Sequence, residues 1–256
     1  MIFTEKNTAW DFKETTPEIA ILPLACFEPH SQHLPLGTDM FLMSAIGKAV
    51  AERLAEDAFL LPVWPYGTSG HHAGESGVMY LDFETLWHVV RDIAVSLNEH
   101  GIHKVVVLNN HGSPMATTIK PIGNFVVKTA VRQLNYEVPG ISAIWVQPFA
   151  AGRFRLIELF ESAANELHVG AVERSLLMHL LPDEVWETPT DFAPEVRTAF
   201  LDYRRFAKFS PQGVWGKPSE ATRDKGSEVM KIIVEETAEY IRVTYEKLRQ
   251  LAENNG

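Results

Sequence analysis

Residues 19–39 read Ile19-Ala-Ile-Leu-Pro-Leu-Ala-Cys26, then Phe27, then Glu28-Pro-His-Ser-Gln-His-Leu-Pro-Leu-Gly-Thr-Asp39. A near-continuous apolar run gives way at once to two carboxylates and two imidazoles, His30 and His33. Apolarity without alternation suits a strand buried on both faces, the kind found in parallel sheets covered by helices. Polar residues just past such a strand stand where open α/β sheets bind ligands. Oxygen and nitrogen donors gathered in this way suit borderline divalent ions such as Zn²⁺ or Mn²⁺. Glu28 and His30 lie two apart, so on extended backbone both side chains leave one face. Asp39 can return from the following loop to close or bridge the site. A solvated turn would account for one such residue, not for all four.

Three more apolar segments read as buried strands: 58–64, 104–108 and 141–146. Helical patterns run between them over 41–54, 83–100 and 115–134, with Asp82 placed to cap the second and Gly101 to stop it. Alternation of strands and helices implies crossover units and an α/β layered fold. Beyond Gln147, residues 153–166 are of mixed character and 169–181 read as a buried helix ended by Pro182. Residues 183–215, with several prolines and scattered aromatics, read as an irregular or lid-forming region. Residues 222–253 form a long amphipathic helix whose charged face reads as solvated surface. No repeat, low-complexity segment or linker divides the chain, so 1–256 is expected to form a single domain.

The remaining chemistry-bearing residues also follow strands or open helices. Gly67-Thr-Ser-Gly-His-His-Ala-Gly-Glu75 follows the second strand, and Asn109-Asn-His-Gly-Ser113 follows the third. Adjacent His71 and His72 point different ways in most backbones, so at most one of them is expected to face a site. Glu75 reads as a substrate contact or a turn residue. His111 on a glycine-containing turn is well placed as a ligand, since glycine permits close approach. Asn109 and Asn110 suit either substrate donors or turn formers. The fourth cluster, His168-Val-Gly-Ala-Val-Glu173, opens a helix. With His168 before the first turn, both side chains can point into one cleft. Glu173 in an otherwise apolar helix is costly to bury unless paired or metal-bound. His88, His100, His103 and His179 read as structural, and Cys26 as a buried, inert thiol.

A formal charge of −10 over 256 residues argues against non-specific nucleic-acid binding. With one cysteine, neither an internal disulfide nor a cysteine-based zinc site is available. The first residues lack a signal-peptide pattern, and no apolar run approaches a membrane span. A soluble, cytoplasmic protein with no membrane partner is the expectation. No serine-hydrolase elbow, P-loop, dinucleotide fingerprint or His-Glu-x-x-His helix is present.

These motifs resemble those of the creatininase (creatinine amidohydrolase) family. Its Glu-x-His-Gly-x-His-Leu-Pro-x-x-Thr-Asp segment matches Glu28 to Asp39, and its Gly-x-Ser-x-x-His segment matches Gly67 to His72. Its Asn-Gly-His-Gly turn matches Asn109 to Gly112, and its His-Ala-Gly-x-x-Glu-Thr-Ser segment matches His168 to Ser175. Gly213-Val-Trp-Gly-Lys-Pro218 is similar to a further family segment. The resemblance implies a three-layer αβα sandwich with a mostly parallel sheet, often a hexamer and hence a homo-oligomer. It also implies two divalent ions per chain, zinc or manganese. By position, Glu28, His30, Asp39 and His111 are implied as ligands, with Asp39 bridging, and His168 as the catalytic residue. Creatininase carries a glutamate two residues past the turn histidine. Ser113 stands there in this chain, so Glu173 is the candidate to complete the second ion. Ala164 replaces a family tryptophan, Glu75-Ser-Gly-Val78 replaces Phe-Pro-Gly-Thr, and Ser31 and Asn110 replace glycines.

The implied activity is hydrolysis of a small polar cyclic amide or formamide, with His72, Glu75 and Ser113 as substrate contacts. Cleavage of a carbon–carbon bond in a cyclic polyol diketone is an alternative that the polar Glu75 and Ser113 would suit. A metal-binding family member without catalysis is another.

Overall fold

The structure, a computed structural model, describes residues 1–54, 57–111, 122–186, 190–196, 201 and 204–254. Among the described residues five strands form one sheet: β1 (Ile2–Phe3), β2 (Ile19–Leu24), β3 (Ala58–Leu60), β4 (Lys104–Asn109) and β5 (Ser142–Val146). They lie in the order β1-β3-β2-β4-β5, and every pair is parallel. The helices are α1 (Ala9–Glu14), α2 (Thr38–Leu54), α3 (Phe83–Glu99), α4 (Ile122–Glu137), α5 (Pro148–Ala151), α6 (Arg153–Leu159), α7 (Ala171–Leu180) and α8 (Arg223–Asn254).

The pleat sorts β2 and β4 between two cores. Ile19 and Ile21, with Val106 and Leu108, pack with residues of α2, α7 and α8 on one face. Ala20 and Leu22, with Val105 and Val107, pack with residues of α3 and α4 on the other. Both faces are therefore covered, and the architecture is the expected three-layer αβα sandwich. All six residues of β2 are buried, which explains why its sequence does not alternate. Gly226 lets α8 lie close against α7, since a Cβ there would sit 1.9 Å from the Ser175 carbonyl oxygen. Among the described residues no helix is long and apolar enough to cross a membrane.

The strand order locates the site. From β2 the chain moves outward to β3, then crosses to the opposite side of β2 to form β4. The reversal falls between β2 and β4, whose carboxyl ends lie level, Leu24 opposite Asn109. A crevice opens at such a switch point.

Several boundaries differ from expectation. The second strand stops at Leu60 rather than Trp64, although Trp64 still pairs with β2 through its N–H to Pro23 and its carbonyl to Ala25. The donors to β2 step from Leu61 to Trp64, three residues instead of two, and this extra residue ends the regular ladder. Helix α2 begins at Thr38, not Phe41, so Asp39 stands in a first helical turn rather than a loop. Asp82 occupies the cap position of α3 without a side-chain cap bond. Gly101, at φ +82, ends α3 as expected: its N–H meets the Asn98 carbonyl and the Ile102 N–H meets that of Leu97, a Schellman closure. The first part of the helix expected over 115–134 lies outside the described residues.

Candidate metal centre

Glu28, His30, Asp39 and His111 converge at the carboxyl ends of β2 and β4, and all four are buried. The loop after β2 delivers Glu28 and His30, the first turn of α2 delivers Asp39, and the turn after β4 delivers His111. A carboxylate in the first turn of α2 also meets the positive end of the helix dipole. Asp39 Oδ1 lies 3.6 Å from His30 Nε2, and Asp39 Oδ2 lies 3.5 Å from His111 Nδ1. Glu28 Oε1 is 3.2 Å from the same His111 nitrogen. Two ligands ~2.1 Å from one tetrahedral ion are themselves about 3.4 Å apart, so these separations suit donors gathered around cations.

Ligand atoms fall into groups within 4.8 Å of one another: Cys26, Glu28, Asp39 and His111; and His30, Asp39 and Glu173. Asp39 belongs to both. Glu28 further groups with His30 and His168, and with His71 and His72. Buried Glu28 Oε2, His30 Nε2, Asp39 Oδ2, His72 Nε2 and His111 Nε2 have no hydrogen-bond partner among the described residues. Unmet polar atoms at this density are costly in a folded interior, and cations would satisfy them. The residues present thus fit the divalent ions expected.

The hydrogen bonds on the far side of each ring fix its tautomer. His30 Nδ1 lies 3.0 Å from the Glu28 carbonyl oxygen. A carbonyl only accepts, so Nδ1 carries a proton, and Nε2, the nitrogen that faces Asp39, is the one a cation would use. His168 Nε2 donates to the Pro29 carbonyl at 2.8 Å, leaving Nδ1 facing Glu28 Oε1 at 3.9 Å. His72 Nδ1 meets the Glu75 carboxylate at 2.8 Å, and its Nε2 faces Glu28 Oε1 at 3.7 Å.

Electrostatics split the cluster. Burial pushes the Glu28 carboxyl up, but His111 and His72 outweigh it and hold the group well below its usual range. Burial is likewise overcome at Asp39, which His111 and His30 bring down to about 2. Burial would lower His30, yet Asp39 raises it to about 9. His111 also rises despite burial, through Cys26 and Glu28. Burial dominates elsewhere. It raises Glu173 to about 7, lowers His71 to about 3, and with His30 and His72 holds His168 well below the ordinary imidazole value. Without metal, His30 and His111 are protonated partners of Asp39 and Glu28; a cation would displace those protons.

The fourth cluster is built around the start of α7. Glu166 accepts from the Ala171 N–H at 2.9 Å and from Ser162 Oγ at 2.8 Å, capping the helix. Gly170 makes room for it, since a Cβ there would lie 2.3 Å from Glu166 Oε2. His168 stands before the helix, held by backbone bonds with Trp215. Val169 sits at φ +55, an unusual conformation for a β-branched residue. Glu173 Oε2 accepts its N–H at 2.7 Å. Ser31, directly after His30, has φ +60. Each of the two imidazoles whose centroids lie 4.5 Å apart, His30 and His168, is thus followed by a left-handed residue.

Some expectations need correction. Both His71 and His72 face the cluster, not one. They close the single 3₁₀ turn Gly70–His72, and their ring centroids lie 4.3 Å apart. Cys26 is buried and burial raises its thiol, but it adjoins the ligands. His33 is buried outside these ligand groups, and its carbonyl accepts from the Trp186 N–H. Asn109 donates to the His111 carbonyl, and Asn110 Oδ1 accepts from the Phe149 N–H. Both shape the turn. Ser113 lies outside the described residues. His88, His100, His103 and His179 stand apart from every ligand group among the described residues. No motif marks Phe206, from the irregular region, whose ring covers His72 and His168 with centroids 4.9 and 5.2 Å away.

This fold and this cluster define a metal-dependent hydrolase built on a parallel α/β sheet. A family model described as "Creatininase: Creatinine amidohydrolase" matches residues 5–241, and the chain belongs to that family. It is 30% identical over 247 residues to the mycofactocin precursor peptide peptidase of Mycobacterium ulcerans (strain Agy99), covering 90% of this chain and 86% of the relative. Creatinine amidohydrolase of Pseudomonas putida is 28% identical over 242 residues, with 88% of each chain covered. A solved structure titled "Creatininase Mn" superimposes with a TM-score of 0.74 at 22% identity, over 95% of this chain and 99% of that one.

Proposed function

We propose that the chain hydrolyses the C–N bond of a small polar amide, cyclic or formyl, at a pair of divalent ions that share Asp39. The observation carrying this reading is that Asp39 turns one oxygen towards His30 and the other towards His111. Glu28, Asp39 and His111 would hold one ion; His30, Asp39 and Glu173 would hold the other. When bound, the pair supplies Lewis-acid polarisation of a carbonyl and a water whose pKa falls from about 15.7 towards ~7.

The chain's own residues do the rest. His168 is neutral at pH 7 because burial and neighbouring imidazoles depress it, and its Nδ1 lone pair faces the cluster. That nitrogen takes a proton from the attacking water and returns it to the leaving nitrogen. The Pro29 carbonyl holds the ring in this tautomer. His72, oriented by Glu75, offers Nε2 as an acceptor for a substrate N–H. Phe206 covers both rings and excludes bulk water. Relatives named for creatinine and for a precursor peptide support amide hydrolysis, since both names denote an amide substrate.

The test is a substrate panel of cyclic amides, formamides, short peptides and cyclic polyol ketones, run with wild type and His168→Asn. Amide turnover that falls at least ~10³-fold in His168→Asn, with metal content unchanged, is expected. Turnover confined to the polyol ketones would overturn the amide assignment.

A further inference from the structure

Glu28, His71 and His72 bring one carboxylate oxygen and two imidazole nitrogens within 4.8 Å of one another. His71 shares no ligand group with Asp39, so it is not an extra ligand of the bridged pair. His72 and Glu28 are each 1% exposed, and His72 Nε2, His71 Nδ1 and Glu28 Oε2 all lack a hydrogen-bond partner among the described residues. Behind His72 the Glu75 carboxylate holds Nδ1 at 2.8 Å, the outer arrangement that orients and strengthens a ligating histidine. Phe206 packs over both rings, at 4.9 Å from His72 and 6.4 Å from His71. Two imidazoles and a carboxylate form a zinc-type donor set. Ligands of a common tetrahedral ion lie about 3.4 Å apart, so side-chain rotation of about an ångström would close the set.

We propose that Glu28, His71 and His72 form a third divalent-cation position beside the bridged pair, weaker than either and exclusive with substrate. This rests on the dinuclear reading above. A cation there uses the His72 Nε2 lone pair that the substrate N–H would otherwise meet, so excess metal inhibits competitively. The donor set favours zinc over the oxygen-seeking magnesium and calcium.

Equilibrium dialysis of the purified protein against rising Zn²⁺, with zinc per chain read by elemental analysis, tests it. Wild type is expected to plateau at three ions, the last binding at least about tenfold more weakly. His71→Phe keeps a ring stacked on His111 and edge-on to Phe206 and is expected to plateau at two. Glu75→Gln, which keeps an acceptor behind His72 but removes its charge, is expected to weaken the third ion about tenfold or more. A wild-type plateau at two, or a third ion retained in His71→Phe, overturns the third position and leaves the bridged pair standing. A plateau below two overturns both.

Discussion

The bodies of β2 and β4 and the segments just beyond their carboxyl ends belong to the same two stretches of chain but obey opposite rules. Within the strands, Ile19 to Leu24 and Val105 to Leu108 are apolar and buried, and paired strands satisfy the backbone. Beyond them, Glu28, His30, Asp39 and His111 are as deeply buried, yet each leaves a side-chain atom without a hydrogen-bond partner among the described residues. The first region gives folding free energy; the second spends it. Interiors tolerate such groups where a ligand completes them, so the difference marks where the protein is incomplete alone. The left-handed Ser31 and Val169, beside the His30 and His168 rings, add strain to the same place.

Breaking the strand bodies should cost stability without touching the chemistry. Leu22 is 2% exposed between α3 and α4, and Leu22→Ala is expected to lose about 2–5 kcal/mol. Denaturant unfolding measures that loss, and metal per folded chain should not change. A large drop in metal content in still-folded Leu22→Ala protein would show that the two regions are not separable.

The cluster should respond to pH where the strands do not. In metal-free protein His30 is raised to about 9, so its contribution is full below its unfolded value near 6.5 and is lost as pH rises through 9. Glu173, raised to about 7, holds its proton longer folded than unfolded, which removes stability between about pH 4.5 and 7. Both act in one direction. Below about pH 6.5 the depressed His71 and His168 act the other way, so the melting temperature of chelated protein is expected to fall by roughly 5 °C or more from pH 6.5 to 9. Zinc should flatten that slope, because a ligating His30 no longer carries the second proton. A chelated protein as stable at pH 9 as at pH 6.5 would contradict the assignment of His30.

The smallest effect concerns strain. Ser31→Gly removes a left-handed non-glycine residue and is expected to raise stability by up to about 1 kcal/mol, with metal content unchanged. Thermal melts of the two proteins decide it. A loss instead would mean that the serine side chain earns its place through contacts of its own.

Much of this contrast was legible in the sequence. Strands β2 and β4 stood out because strands buried on both faces cannot alternate. The ligand cluster stood out because donors so dense after an apolar run have no structural use. Other features depend on tertiary geometry. Strand β1 and helix α1 are too short to carry a period. One 3₁₀ turn brings His71 beside His72, against the usual divergence of neighbouring side chains. Glu166 reads as an ordinary charged residue until Gly170 and Gly216 are seen making room for its carboxylate. Phe206 is one aromatic among many in an irregular stretch, and only packing sets it over the two histidines.

The most direct test is metal per chain in purified, unchelated protein, measured for wild type and for Asp39→Asn. With Asp39 shared by both ligand groups, the wild type should hold at least two zinc or manganese ions at high affinity. The variant should lose both together, along with turnover. A wild type that carries no metal and cannot be reloaded, or an Asp39→Asn protein that keeps two ions, would contradict the account.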